Sequence, residues 1–294
     1  MAHRLALVTA AATLVLVLFG GLVTNTGAGL AVPDWPTTFG RNMFLFPWSQ
    51  MLGGVFYEHS HRLIGSLVGL LTLGLAAALW GAGARLRWLG LVAAAAVVAQ
   101  GVLGGLRVVL VQDTLAILHG CLAQAFFALL VTIVLLTSPR ARADVAATEP
   151  TLRTLTLVAA ALTYAQIVFG ALLTHAGQMA LHLAGAVAVF VVVPVVTTRW
   201  RRSGDPIAAP AARWLLALLA VQLVLGVGSF LARFSSIPLP GEQLTVLALP
   251  VAHRLVASLI LGATVVLAIR AGVRRSPGPA PVGLPAERPR LVLS

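Results

Sequence analysis

Lysine is absent from the 294 residues, and charge of either sign is scarce: 20 arginines and 8 acidic residues make up 10% of the chain. About a quarter of an ordinary soluble domain is charged, so that class is excluded. With 59% apolar residues and a mean hydropathy of +0.98, the chain is not a disordered one either, since those are poor in Leu, Ile, Val and Phe. A single cysteine, Cys121, allows no intramolecular disulfide and no CxxC metal or redox pair. What is present instead is a series of long apolar runs, the pattern of a polytopic membrane protein with little mass outside the bilayer. The net charge of +12 would point to nucleic acid in a soluble protein. Here the arginines lie between apolar runs, where they orient helices, so the expected partner is the lipid bilayer and not nucleic acid.

Crossing the hydrocarbon takes about 20 apolar residues. Eight runs qualify, at 5–24, 61–80, 88–111, 115–137, 154–174, 180–198, 214–232 and 248–269. The shortest connections, Gln112 to Thr114 and His175 to Met179, predict tight antiparallel hairpins. With both termini in the cytoplasm, 15 of the 20 arginines fall on the cytoplasmic side, a strong positive-inside bias. Arg41, Arg62, Arg107, Arg233 and Arg254 are the others. The first run also reads as a signal peptide with Arg4 as its basic end, but it is longer than the usual apolar region. The Pro-rich tail from Ser276 to Arg290 reads as disordered, and Ser138 to Pro150 as a polar connector on the inside.

The two halves match. Phe19-Gly20-Gly21-Leu22-Val23-Thr24-Asn25-Thr26-Gly27 aligns with Phe169-Gly170-Ala171-Leu172-Leu173-Thr174-His175-Ala176-Gly177, and Gln100-Gly101-Val102-Leu103-Gly104 aligns with Gln222-Leu223-Val224-Leu225-Gly226. The chain is therefore expected to be an all-α integral membrane protein, with eight transmembrane helices as two pseudo-symmetric four-helix bundles. Residues 1–137 would form the first bundle, 138–153 a cytoplasmic linker, 154–270 the second bundle and 271–294 a cytoplasmic tail.

Histidine inside an apolar span is costly and marks a functional candidate. His61, His119, His182 and His253 open the four even-numbered spans, all within the first turn or two on the extracytoplasmic side. The repeat pairs His61 with His182 and His119 with His253, so each half owns two. Two imidazoles on facing helices suit axial ligation of a heme iron from both faces. Zinc would want three or four ligands with Cys or carboxylate help, and proton relay does not explain the duplication. Arg62 and Arg254 follow two of the histidines, where they would meet heme propionates or snorkel to the headgroups. Glu58 lies three residues before His61, on the same helical face, whereas Met179 holds that place before His182. Glu58 would stabilise positive charge or accept a proton at a reacting group, or pair with Arg62 one helical turn on. The external segment from Asn25 to Tyr57, with Trp35, Phe44, Phe46 and Trp48, reads as a lid over the first site or as an interfacial anchor. His59 and His175 read as structural or interfacial, with substrate or proton contact as the alternative.

The segment TGAGLAVPDWP, then Glu58-x-x-His61-Arg62, Leu118-His119-Gly120, Leu181-His182-Leu183 and Ala252-His253-Arg254, resembles the heme A synthase family in order and spacing from Phe19 to about Ala268. The resemblance implies an integral-membrane oxidoreductase that turns the C8 methyl group of heme O into a formyl group, making heme A for cytochrome oxidases. It implies a heme b cofactor held by His182 and His253, substrate heme O near His61 and His119, and a required glutamate at Glu58. Expected partners are a heme O synthase, a membrane or redox electron donor or acceptor, and a second copy packed through small residues on the lipid faces. The expected location is the bacterial plasma membrane. Many bacterial relatives carry cysteine pairs in the outside loops; this sequence has none there. Two other readings compete. A diheme b-type electron carrier would have no special need for Glu58, and a transporter would gather polar residues near the midplane rather than at one end.

Overall fold

The computed structural model describes residues 1–142, 148–237 and 240–272. The Pro-rich tail expected at 276–290 lies outside the described residues. Eight long helices follow one another among them: α1 Ala2–Asn25, α2 Gly54–Leu79, α3 Ala84–Leu110, α4 Asp113–Thr137, α5 Pro150–Ala176, α6 Met179–Trp200, α7 Ala208–Phe234 and α8 Glu242–Ala271. At 1.5 Å per residue the shortest is about 33 Å and the longest about 45 Å, so each is long and apolar enough to cross a membrane. Their outward faces are apolar too: Leu70, Val187 and Val224 are 68, 66 and 71% exposed. Such a surface is tolerable against lipid and an aggregation hazard in water. The chain is a multi-pass membrane protein.

The helices coincide with the eight apolar runs but overrun them. α2 begins at Gly54 and not near His61, and α8 at Glu242 and not near 248. Polar residues end an apolar run without ending a helix, because the backbone hydrogen-bond ladder is indifferent to them. His253 is consequently three turns into α8, deeper than the first turn or two expected of it. The connector between the halves is also shorter than expected, because Pro150 opens α5 at its first helical position, where a missing N–H costs nothing.

Helix α1 packs on α2 and α4, α2 on α3, and α3 on α4; in the second half α5 packs on α6 and α8, α6 on α7, and α7 on α8. Across the halves, α1 and α4 meet α8, and α4 meets α5. Each half has its own apolar core, with Val68, Leu75, Leu79, Leu130 and Ile133 in one and Val193, Val196, Trp200, Leu215 and Leu267 in the other. The α5–α6 turn is tight because Gly177 takes the left-handed conformation, φ +69°, and its N–H reaches the carbonyl of Leu173. Val111 does the same at φ +52° between α3 and α4.

Proline within a helix frees a carbonyl one turn back. In α8 Pro250 leaves Val246 O without its helical donor, and Asn25 Nδ2, at the end of α1, donates to Val246 O at 2.9 Å and to Leu247 O at 3.0 Å. Arg233 of α7 then donates to Asn25 Oδ1 at 2.8 Å. His175, in the matching place at the end of α5, lies 3.9 Å from the Asp113 carboxylate at the start of α4. Both positions thus reach into the other half. At the opposite end of the molecule, Asp205 accepts the N–H groups of Ile207 and Ala208 and pairs with Arg270 Nε at 2.9 Å; Arg270 also donates to Ala141 O at 2.8 Å.

Candidate functional site

The four span histidines come together in two pairs. His61 of α2 faces His119 of α4 with ring centres 6.3 Å apart and planes at 71°. His182 of α6 faces His253 of α8 at 6.2 Å and 65°. A metal–imidazole bond of about 2 Å puts the centres of two imidazoles bound on opposite sides of one ion about 6.3 Å apart. Both pairs therefore fit axial ligation of a single iron. The Nδ1 atoms of His61, His119 and His253 are buried without a hydrogen-bond partner, as suits rings whose bonding is completed by a bound group. Among the described residues no three His, Cys, Asp or Glu side chains gather as a metal site, so each pair offers two nitrogens.

Each ring is backed by a glycine on an odd-numbered helix. A Cβ on Gly20 of α1 would lie 3.1 Å from His61 Cε1, on Gly104 of α3 3.3 Å from His119 Cε1, on Gly170 of α5 3.4 Å from His182 Cε1, and on Gly226 of α7 3.0 Å from His253 Cε1. These glycines let the helix backbones approach the imidazoles closely, and any side chain would push the rings aside. A glutamine stands four residues before three of them. Gln100 Nε2 donates to His119 O at 3.0 Å; Gln166 Nε2 donates to His182 O at 3.0 Å and lies 3.2 Å from its Nδ1; Gln222 Nε2 lies 3.2 Å from His253 Nε2. The sequence reading aligned two of these segments as a repeat without tying the glutamines to the histidines. The available signal was Gln-x-x-x-Gly recurring on α3, α5 and α7.

The first pair differs from the second in what surrounds it. Glu58 is 4% exposed. Its Oε1 accepts from Arg62 at 2.8 Å and its Oε2 from the Val32 N–H at 2.9 Å. Arg62 also donates to the carbonyls of Val32, Asp34 and Thr37 at 2.7–3.0 Å. Both terminal nitrogens of Arg62 are thus turned to the 26–53 loop, where a propionate contact was expected. The ion pair with Glu58 is present, and the two residues together clamp the loop onto α2. His59 is buried beside the same loop, with Nδ1 3.1 Å from Thr38 Oγ1 and its ring 5.1 Å from that of Phe46. Trp35 lies so close to α3 that a Cβ on Gly105 would fall 2.3 Å from its ring. Asp34 organises the turn: Phe39 and Gly40 N–H groups donate at 2.7 and 2.8 Å, and the Thr37 hydroxyl donates as well. Burial works against the charge on Asp34, but the Thr37 hydroxyl and these amides outweigh it and hold the carboxyl below its ordinary range. Phe44, Leu45 and Trp48 of the loop are exposed, as for residues dipping into an interface.

Among the described residues the second pair has no counterpart to this clamp. Met179 opens α6, and the α5–α6 connection is two residues long. Arg254 follows His253, and its guanidinium has no hydrogen-bonded partner among the described residues.

Residues 3–284 match the model of a family described as cytochrome oxidase assembly protein, COX15-CtaA. The chain belongs to this family. Among curated proteins, it is similar to the "Heme A synthase" of Shouchella clausii (strain KSM-K16), 33% identical over 139 residues. That match covers 46% of this chain and 44% of the relative, so the chain spans less than half the length of the relative it matches. Membership of a cytochrome oxidase assembly family accords with an all-helical protein of eight apolar spans.

Proposed function

We propose that the protein is a heme A synthase, an integral-membrane oxidoreductase that converts the C8 methyl group of heme O to a formyl group. The observation that carries this is the asymmetry of two otherwise equal sites. Both imidazole pairs have the spacing for one iron, yet among the described residues the first alone has a buried carboxylate within a turn of a ligand and a loop clamped over it. A site that only stores a heme needs neither. We assign His61 and His119 to the substrate heme, and His182 and His253 to a resident heme b, which when bound supplies one-electron redox chemistry.

The chain's own residues then divide the work. The two histidines of the first pair orient the substrate heme with its reacting edge toward Glu58. The carboxylate stabilises positive charge there or takes up a proton, and the 26–53 loop keeps water out. Arg62 holds that loop; Arg254, whose guanidinium has no hydrogen-bonded partner among the described residues, takes a propionate of the resident heme. The halves act as two four-helix bundles, α1–α4 and α5–α8, and the linker expected at 138–153 ends before Pro150, where α5 begins. Arginine placement supports cytoplasmic termini and heme sites toward the outside; the bacterial plasma membrane follows from the heme A synthase reading. A heme O synthase would deliver substrate, and a membrane or redox partner, as electron donor or acceptor, would exchange electrons with the resident heme.

The near-identity of the two histidine pairs favours one other reading, a diheme b-type electron carrier. Heme extraction and chromatography from cells making heme O, with and without this protein, separates the two. Heme A or its hydroxylated precursor, appearing only with the protein, is the expected result. Unchanged heme O, together with purified protein carrying heme b at both sites, would establish the carrier instead.

A further inference from the structure

Heme carries propionates, and a carboxylate that enters an apolar site needs a cationic partner. On the reading above Arg254 serves the second site. In the first, Arg62 is spent: both of its terminal nitrogens are bonded to Glu58 and to loop carbonyls. Arg107 is another of the arginines outside the cytoplasmic count. It lies on α3 three residues beyond Gly104, the glycine behind His119, so it projects from the same face one turn nearer the end of the helix. Its guanidinium lies against the 26–53 loop: a Cβ on Gly29 would fall 2.5 Å from Nη2, 2.9 Å from Nη1 and 3.0 Å from Cζ. Its charge bears on both rings of the first pair, His61 and His119, and on neither His182 nor His253. Arg107 is half-buried, and its guanidinium has no hydrogen-bonded partner among the described residues. The repeat sharpens the contrast. The shift that sets Gln100 on Gln222 and Gly104 on Gly226 sets Arg107 on Ser229, and the shift that sets His119 on His253 sets Gly120 on Arg254. Each half thus brings an arginine without a protein partner to its histidine pair, but from a different helix: α3 in the first, α8 in the second.

We propose that Arg107 is the carboxylate seat of the first site, its guanidinium taking a propionate of the substrate heme beneath the 26–53 loop. This rests on the functional reading above, which puts heme O in that site. The C8 methyl group shares its pyrrole ring with a propionate, so a seat for the carboxylate also fixes where the reacting methyl lies. Axial histidines alone do not do this, since they leave the heme free to turn about the line joining them. A guanidinium meets a carboxylate through parallel N–H···O bonds, and a hydrogen bond to a charged group of this kind is worth about 10-fold or more in affinity.

The test uses the full-length protein, purified with its resident heme in place, and reads binding rather than turnover. Heme O and its dimethyl ester, which has the same ring and iron but no free carboxylate, are each titrated in and followed through the change in the Soret band. Wild type should bind heme O about 10-fold or more tightly than the ester. Arg107→Gln should lose that preference by weakening heme O alone, with the ester affinity and the resident heme spectrum unchanged. Arg107→Lys, which keeps the charge without the planar fork, should retain part of the preference. Equal affinity of wild type for the acid and the ester would overturn the proposal without any variant. So would an Arg107→Gln protein that still prefers the acid, or one that weakens both ligands alike, as a loss of packing would. The functional reading fails separately: a wild type that prefers the acid but makes no heme A keeps the seat and loses the synthase.

Discussion

At the scale of single residues, the site turns on groups whose neighbours fix what they can do. Glu58 has both carboxylate oxygens bonded, one to Arg62 and one to the loop amide of Val32, and a glutamine there keeps the side-chain shape and one of the two acceptors. Glu58→Gln is therefore expected to fold, to keep the resident heme spectrum, and to lower heme A formation by about 100-fold or more, the range of a lost proton-transfer group. Pigment extraction beside a reduced-minus-oxidised spectrum measures both. Full activity would reduce Glu58 to a clamp on the loop. The glycines behind the rings make an equally sharp contrast. Alanine at Gly226 would place a methyl 3.0 Å from His253 Cε1, whereas at Gly101 nothing lies within 4 Å. Gly101→Ala should gain up to about 1 kcal/mol of helix propensity and leave the spectrum alone. Gly226→Ala should shift the resident heme band and loosen the heme.

At the scale of elements, the spans were legible because a membrane helix must be apolar along its whole hydrocarbon length, and little else in a sequence looks like that. Their ends were not. Glu58 and His59 lie inside α2 and Gln243–Thr245 inside α8, since polarity sets where a helix leaves the lipid and not where it unwinds. The histidine pairing was legible through the repeat and the Glu58–Arg62 pair through its i+4 spacing; the loop partners of Arg62 were not, because those acceptors are carbonyls, which every residue has. The loop itself carries a pH signature. Asp34 is held below the usual carboxylate range by the Thr37 hydroxyl and the Phe39 and Gly40 amides against the cost of burial. A depressed carboxylate stabilises its turn above its unfolded pKa, near 3.8, and loses that contribution as pH falls through the folded value. Hydrogen exchange of the 26–53 amides should thus be protected to the same degree from pH 8 to 5 and loosen only below the ordinary carboxylate range. Asp34→Ala should be loose throughout. The α1–α8 contact makes a separate prediction: Asn25→Ala strands the Val246 carbonyl that Pro250 has freed. The contact is partly exposed, so its loss should cost about 0.5–1.5 kcal/mol, measurable as a lower unfolding midpoint in detergent, and Asn25→Ala combined with Pro250→Ala should recover much of it.

At the scale of the whole molecule, chemistry and fastening sit at opposite ends. The histidines, the clamped loop and Asn25 occupy one end; the other is joined by Asp205 and Arg270, whose side chains are 2 and 1% exposed. Counted by sequence, Arg270 is one more cytoplasmic charge setting topology. In the fold it is consumed inside the protein, tying the end of α8 to the α6–α7 turn through Asp205 and to the connector between the halves through Ala141 O. Positive-inside bias therefore rests on the other arginines, and Arg270→Gln should leave membrane orientation unchanged in a reporter-fusion assay. Stability is another matter. A buried pair broken on one side leaves an unmatched charge, at a cost of about 3–5 kcal/mol. Asp205→Ala carries the further loss of the acceptor for the first amides of α7, so it should be the more damaging of the two single changes. Replacing both charges with leucine removes the unmatched ion and should restore most of the thermal stability, short of the lost α7 cap. Because Arg270 lies 17 residues beyond His253 on α8, about 26 Å along the helix, heme spectra should be the same in every variant that still folds. A heme shift in Asp205→Ala would mean that the two ends are mechanically coupled through α8, the helix that carries both His253 and Arg270.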